Sequence, residues 1–134
     1  MFNYCLPLCV HSLLYAVLDS HLTMSSHITS LCQSGYYQLR QLRGMIQSLT
    51  PDVTKTLVHA FISSRLDYCN SLLFVVADQQ LKRLQSVQNA AARLVTGTRR
   101  SDHITPVLKV LHWLPVRQRI QYKMAMLVCT AECV

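Results

Sequence analysis

The chain has 134 residues, half of them apolar, with three glycines, four prolines and no low-complexity tract, which argues against disorder and allows one domain-sized core. Its net charge is +7, unevenly spread: residues 1–39 hold one charged side chain, Asp19, while all thirteen Lys and Arg lie from Arg40 to Lys123. Within that stretch only Asp52, Asp67, Asp78 and Asp102 oppose them, an excess of nine cations (thirteen against four) that suits a polyanionic partner as well as a merely solvated surface.

The first eighteen residues are apolar but lack the cationic start, the unbroken run and the small-residue site of a signal peptide, and they are too short to cross a bilayer. We read residues 1–20 as an apolar leader in which 13–18, LLYAVL, form a strand remnant. A helical domain follows over 21–134. Its first helix takes an N-cap from Ser25 or Ser26 and buries Ile28, Leu31, Gly35, Leu39, Leu42 and Ile46, which step by three and four. Tyr36, Tyr37, Arg40 and Arg43 fall off that stripe or at its edge.

Thr50, Pro51 and Asp52 supply a capping hydroxyl, a proline at the first helical position and an acid in the first turn. The expected stripe of this second helix is Val53, Leu57, Phe61, then Ile62, Leu66, Cys69 and Leu73, running to about Phe74 or breaking near Asp67. Asp78 is placed to cap a third helix that buries Leu81, Leu84, Val87, Ala91, Leu94 and Val95 and exposes Lys82, Ser86, Asn89 and Arg93, with Gly97 ending it. A polar loop, 98–103, leads to a short helix over Ile104 to Leu111. His112, Trp113 and Leu114 form a bulky junction, and Pro115 opens a last helix with Val116, Ile120, Met124, Leu127 and Val128 on its apolar face. The expected fold is all-α, a bundle of four to five helices.

Six cysteines form no C-x-x-C pair and no H-x3-H follows one, so neither a zinc site nor a disulfide framework is indicated, and free thiols imply a reducing, intracellular setting. There is no glycine-rich phosphate loop. The six acids never cluster as a two-metal site requires, and no G-x-S-x-G elbow supports a nucleophile. The sequence therefore gives no catalytic residue, no metal ligand and no cofactor.

Several long runs carry more information than any of these patterns: LDSHLTMSSHI (18–28), CQSGYYQLRQLR (32–43), SLTPDVTKTLVHAFISSRLDYCNSLL (48–73) and residues 81–127, from LKRLQSVQNAAARLV to QRIQYKMAML. Across 16–128 the chain resembles one segment of LINE-type (non-LTR) retrotransposon reverse transcriptases of the jockey-like and chicken-repeat-like clades. The resemblance implies the thumb and following helices, beyond the palm. The family's aromatic-x-Asp-Asp hairpin has no counterpart here, so the resemblance brings no polymerase activity with it. FVVA (74–77) replaces a glycine-containing turn, residues 1–12 match nothing in the family, and CTAECV ends where family members continue, as expected of a truncated insertion.

A thumb grips an RNA–DNA duplex, or RNA, through backbone phosphates, which requires cations and polar donors rather than base readout. The candidates are Lys82, Arg83 and Arg93 on the third helix, Arg99 and Arg100 in the loop, Arg117, Arg119 and Lys123 on the last helix, and Arg40 and Arg43 beside Tyr36 and Tyr37, where rings add stacking. For Arg65 with Asp67, for Tyr68 with Asn70, and for Trp113 with His112, a structural role is the better reading. No small-molecule substrate or membrane is expected. The alternatives are a structural or protein-interaction fragment, self-associating through apolar surface, and a relic open reading frame without a selected function.

Overall fold

A computed structural model describes residues 24–67 and 70–132. The leader's proposed strand, Tyr68 and Cys69 lie outside the described residues. The rest is all-α: α1 (Ser25–Met45), α2 (Pro51–Val58), α3 (Ser64–Asp67), α4 (Asp78–Thr96), α5 (Ile104–Val110) and α6 (Val116–Glu132). Among the described residues there is no strand, and no helix is long and apolar enough to cross a membrane.

The centre is α1 against α4. Ile28, Leu31, Leu39 and Leu42 of α1 meet Leu84, Val87, Ala91 and Ala92 of α4 in one core. Each large side chain removed from water there contributes about 1.5–3 kcal/mol. The two helices run parallel: Gln80 donates to Ser25 Oγ (3.3 Å), Arg83 to Thr29 Oγ1 (3.1 Å), and the Tyr36 and Ser86 hydroxyls share a bond of 2.9 Å. Gly35 permits this approach, because a Cβ there would lie 2.8 Å from Val87 Cγ1.

Several helix starts differ from expectation. Met24, not Ser25 or Ser26, is the N-cap of α1, at φ 57° and without a side-chain bond, because its side chain is drawn into the core. Asp78 is the first residue of α4 rather than its cap, which is Ala77. Thr50 does precede Pro51 at the cap of α2, though its hydroxyl makes no capping bond. Gly97 ends α4 in the left-handed conformation, its N–H donating to Arg93 O at 2.8 Å.

The expected stripe of the second helix is off by one residue. The offset is confined to its first half: Val53 and Phe61 are exposed and Thr54 and Val58 are buried instead, whereas Ile62, Leu66 and Leu73 are buried as expected. Between α2 and α3 the backbone widens into a π segment over His59–Ser63. Here Ser64 Oγ donates back to Ala60 O (2.5 Å), while the side chains of Ser63 and His59 share a bond of 3.1 Å. Serine hydroxyls competing for backbone carbonyls loosen the α ladder, and one extra residue in a turn shifts which side chains face inward. After α3 the chain continues as a 3-10 helix over Asn70–Val75. Asn70 is buried, and its amide finds no partner among the described residues.

Arg65 and Asp67 have structural roles, but separate ones. Buried Arg65 donates to Ser34 Oγ of α1, and Asp67 accepts from Arg119 of α6 at 3.0 Å. The junction before α6 is held by amides of α4. Gln88 Nε2 donates to Leu114 O (2.8 Å), Gln85 Oε1 accepts from the first N–H of α6, at Val116 (2.8 Å), and Gln85 Nε2 donates to Gln88 Oε1 (2.9 Å) and Asn89 Oδ1 (2.8 Å). A free helical N–H is thereby satisfied by a neighbouring helix.

α5 ends in a Schellman turn: Trp113 N–H donates to Leu108 O (2.9 Å) and His112 N–H to Lys109 O (3.0 Å). His112 occupies the left-handed position at φ 56°, usually given to glycine. We expect His112→Gly to raise stability by about 0.5–1 kcal/mol, because the strain at a left-handed non-glycine residue outweighs the added freedom of the unfolded chain. A lower urea midpoint would show that the exposed imidazole makes a contact that matters more than this strain.

The first turns of α6 bury Val116 and Ile120, but the helix then runs past the body. Leu127 and Val128, expected to be buried, are about half exposed, as are Tyr122 and Met126. The apolar stripe continues in the sequence after the core beneath it has ended.

Candidate nucleic-acid interface

Helical spacing decides where the cations of α1 and α4 fall. Thr29, Gln33 and Tyr36 border α4, two of them by hydrogen bonds to Arg83 and Ser86. Steps of three and four along that line lead to Arg40 and Arg43. On α4 the outward stripe is Lys82, Ser86, Asn89 and Arg93, with Arg83 turned to the seam. Because the helices are parallel, both lines ascend together, and the exposed loop bearing Arg99 and Arg100 follows at the upper end. Five cations, Arg40, Arg43, Lys82, Arg83 and Arg93, thus share one side of the bundle.

Within the two helices no unpaired acid interrupts this side, and Asp102 stands beyond them in the loop. α1 contains none, and α4 has only Asp78, in its first turn. That carboxylate is engaged by Arg117 across an exposed ion pair. The cations of α6 are placed differently from the expectation that groups them with the others. Arg117 is occupied by Asp78. Arg119 is 14% exposed and holds Asp67 at 3.0 Å, so it ties α6 to the end of α3 rather than facing a ligand. Lys123 is exposed and follows the last buried residue of α6, Ile120. Arg93 is half-buried and donates to Asp102 O at 3.4 Å, which holds the loop to α4 and directs only part of its guanidinium outward.

Polar and aromatic groups lie among the free cations. Tyr36 and Tyr37 are exposed, and Gln33 and Ser86 border a shallow cleft with Cys32 and Arg83. Burial pushes the Cys32 thiol above its ordinary range, an effect that Arg83 partly opposes, so Cys32 is a protonated lining group rather than a nucleophile. His27, on the opposite edge of α1, is held below the ordinary imidazole range by burial and is neutral at pH 7. Among the described residues no three His, Cys, Asp or Glu side chains gather as metal ligands. The clustered groups donate hydrogen bonds and positive charge, which suits an anion, and none is an activated base or nucleophile.

Sequence reasoning missed Gln33 and the seam role of Arg83. A lone polar residue one turn before a tyrosine carries no signal until a second helix is laid against it. Compared with known protein families, curated proteins and solved structures, the chain finds no match.

Proposed function

We propose that this chain is a helical nucleic-acid-binding module of the kind that follows the palm in LINE-type reverse transcriptases, gripping an RNA–DNA duplex or RNA by its backbone without polymerase chemistry of its own. One observation carries this reading: the α1 and α4 helices carry five of the candidate cations and between them no acid beyond the paired Asp78, while two of the three α6 candidates are neutralised locally. Phosphate binding requires such an uncompensated arrangement, since each cation left free displaces a counterion from the nucleic acid. The long runs shared with the reverse-transcriptase segment support the same partner. The six acids stand apart along the chain, from Asp19 to Glu132, so no polymerase carboxylate pair is assigned.

The test is a titration of labelled RNA–DNA hybrid at two salt concentrations, read by fluorescence anisotropy. Five phosphate contacts predict an affinity that falls by roughly 500-fold between 50 and 200 mM salt. Replacing Arg40, Arg43 and Lys82 together by glutamine should reduce the slope of log affinity against log salt by about three. Replacing Arg117 and Lys123 should reduce it far less. Equal effects from the two sets, or no binding at 50 mM salt, would remove the interface from consideration.

A second reading, protein contact or self-association, is favoured by the overhang of α6. Tyr122, Met126, Leu127 and Val128 lie exposed on it, and the 3-10 helix against which α6 packs exposes Leu72, Phe74 and Val75. Exposed apolar side chains, where they gather into a patch, mark an interface or an aggregation-prone surface. Association that depends on concentration and is abolished by Leu127→Glu with Val128→Glu, in a protein that ignores nucleic acid, would favour it over the first.

A further inference from the structure

We propose that the cleft between α1 and α4 is a seat for one phosphate group of the bound strand, an anchor that fixes where the helices meet the backbone; the proposal rests on the nucleic-acid reading above. The cleft encloses about 290 Å³ and is lined by Cys32, Gln33, Tyr36, Arg83 and Ser86.

The argument is a count of donors. Arg83 has no carboxylate partner among the described residues. Both its protein bonds leave from one nitrogen: Nη1 donates to Thr29 Oγ1 at 3.1 Å and to Gln80 Oε1 at 3.0 Å. A guanidinium has five N–H donors, and those two bonds use both hydrogens of Nη1. Of the remaining three, the Nε–H and one Nη2–H form the planar edge that matches two phosphate oxygens, and the second Nη2–H points off its end. The contacts to Thr29 and Gln80 hold this edge in place, so less side-chain freedom is lost on binding.

The second donor comes from the hydroxyl pair. Tyr36 and Ser86 share one hydrogen bond of 2.9 Å, which consumes one of their two O–H protons. The other proton is left for a neighbour, and the lining residue Gln33 adds an amide. Guanidinium, hydroxyl and amide donors around a cleft without any carboxylate select an anion over a cation or an apolar group. The seat is the place on this side where charge and directional donors coincide. Arg40, Arg43 and Lys82 supply charge along the rest of the strand's path.

The proposal separates from simple charge attraction through Arg83→Lys, which keeps the charge and loses the planar edge. With labelled RNA–DNA hybrid, this variant should bind about tenfold more weakly at an unchanged salt slope. Tyr36→Phe and Ser86→Ala, both uncharged changes at exposed positions, should each weaken binding about threefold, again with the slope unchanged. Arg100→Lys serves as the reference and should leave affinity as it was, and far-UV circular dichroism checks that each variant keeps its helices. If the unmodified protein binds but Arg83→Lys and Tyr36→Phe bind as it does, the seat is wrong and the wider interface stands. If Arg83→Lys and Arg100→Lys lose affinity equally, the cleft has no special role and the proposal is likewise overturned. If the unmodified protein fails to bind the hybrid at 50 mM salt, both the interface and the seat fall.

Discussion

Trp113→Ala should lower the stability of the protein by about 3–5 kcal/mol, a large fraction of the total that holds a single domain folded. Trp113 is the chain's one tryptophan and is 6% exposed. It closes the Schellman turn of α5 and stands two residues before Pro115, so it fixes the angle at which α6 departs. Its ring meets His59 of the π segment, centroid to centroid at 5.8 Å and tilted by 36°, which joins the α5–α6 corner to the second helical rod. Alanine keeps the backbone bond from residue 113 to Leu108 O but leaves a cavity that no neighbouring element can fill without moving. Trp113→Phe retains most of the ring contact and should cost clearly less. Urea unfolding followed by far-UV circular dichroism measures both. A loss under 1 kcal/mol for the alanine variant would mean that the corner is held by the Gln85 and Gln88 amides and not by the indole.

The second large effect is expected at Gly35. A methyl group there meets Val87 Cγ1 at 2.8 Å, closer than carbon atoms pack, and Val87 is buried with little room to turn. Alanine is worth up to about 1 kcal/mol over glycine inside a helix. Overpacking a filled core costs about 1–3 kcal/mol. The second term wins by a small margin for Gly35→Ala, so a net loss of about 1 kcal/mol is expected. Gly35→Leu places four carbons in the seam and should separate α1 from α4 altogether. Val87→Ala makes the cause visible. In that background Gly35→Ala should become neutral or stabilising, giving a coupling energy of at least about 1 kcal/mol by double-mutant cycle. Strict additivity of the two changes would refute the contact. Tyr36 is the next residue, so any variant that parts the helices also breaks its bond to Ser86 and should weaken hybrid binding even where the chain stays folded.

Much of the fold is legible from periodicity. The stripes of α1 and α4 read correctly because six residues of each repeat at helical spacing, and no local feature shifts the phase. Proline and glycine place the start of α2 and the end of α4, since their allowed backbone conformations depend only on themselves. The second helix reads wrongly at Phe61 because that residue lies within the π segment, and serine back-bonding that widens a turn leaves no periodic trace; at Val53, in the first turn, the inward position falls to Thr54 instead. The last two turns of α6 read as buried because an apolar stripe does not announce where the body beneath it ends.

The candidate site divides in the same way. The sequence by itself determined an all-α chain with its cations concentrated after residue 39, and it identified Lys82, Ser86, Asn89 and Arg93 as one outward stripe of a single helix. Those are properties of covalent order and of 3.6 residues per turn. Only the tertiary structure decided that α1 lies parallel to α4, which sets Thr29 beside Arg83 and Tyr36 beside Ser86, and that Asp78 and Asp67 engage Arg117 and Arg119. Pairings across 50, 54, 39 and 52 residues depend on how the helices pack. Packing follows from the summed fit of the buried faces, Gly35 against Val87 among them, and no local stretch of sequence contains that sum.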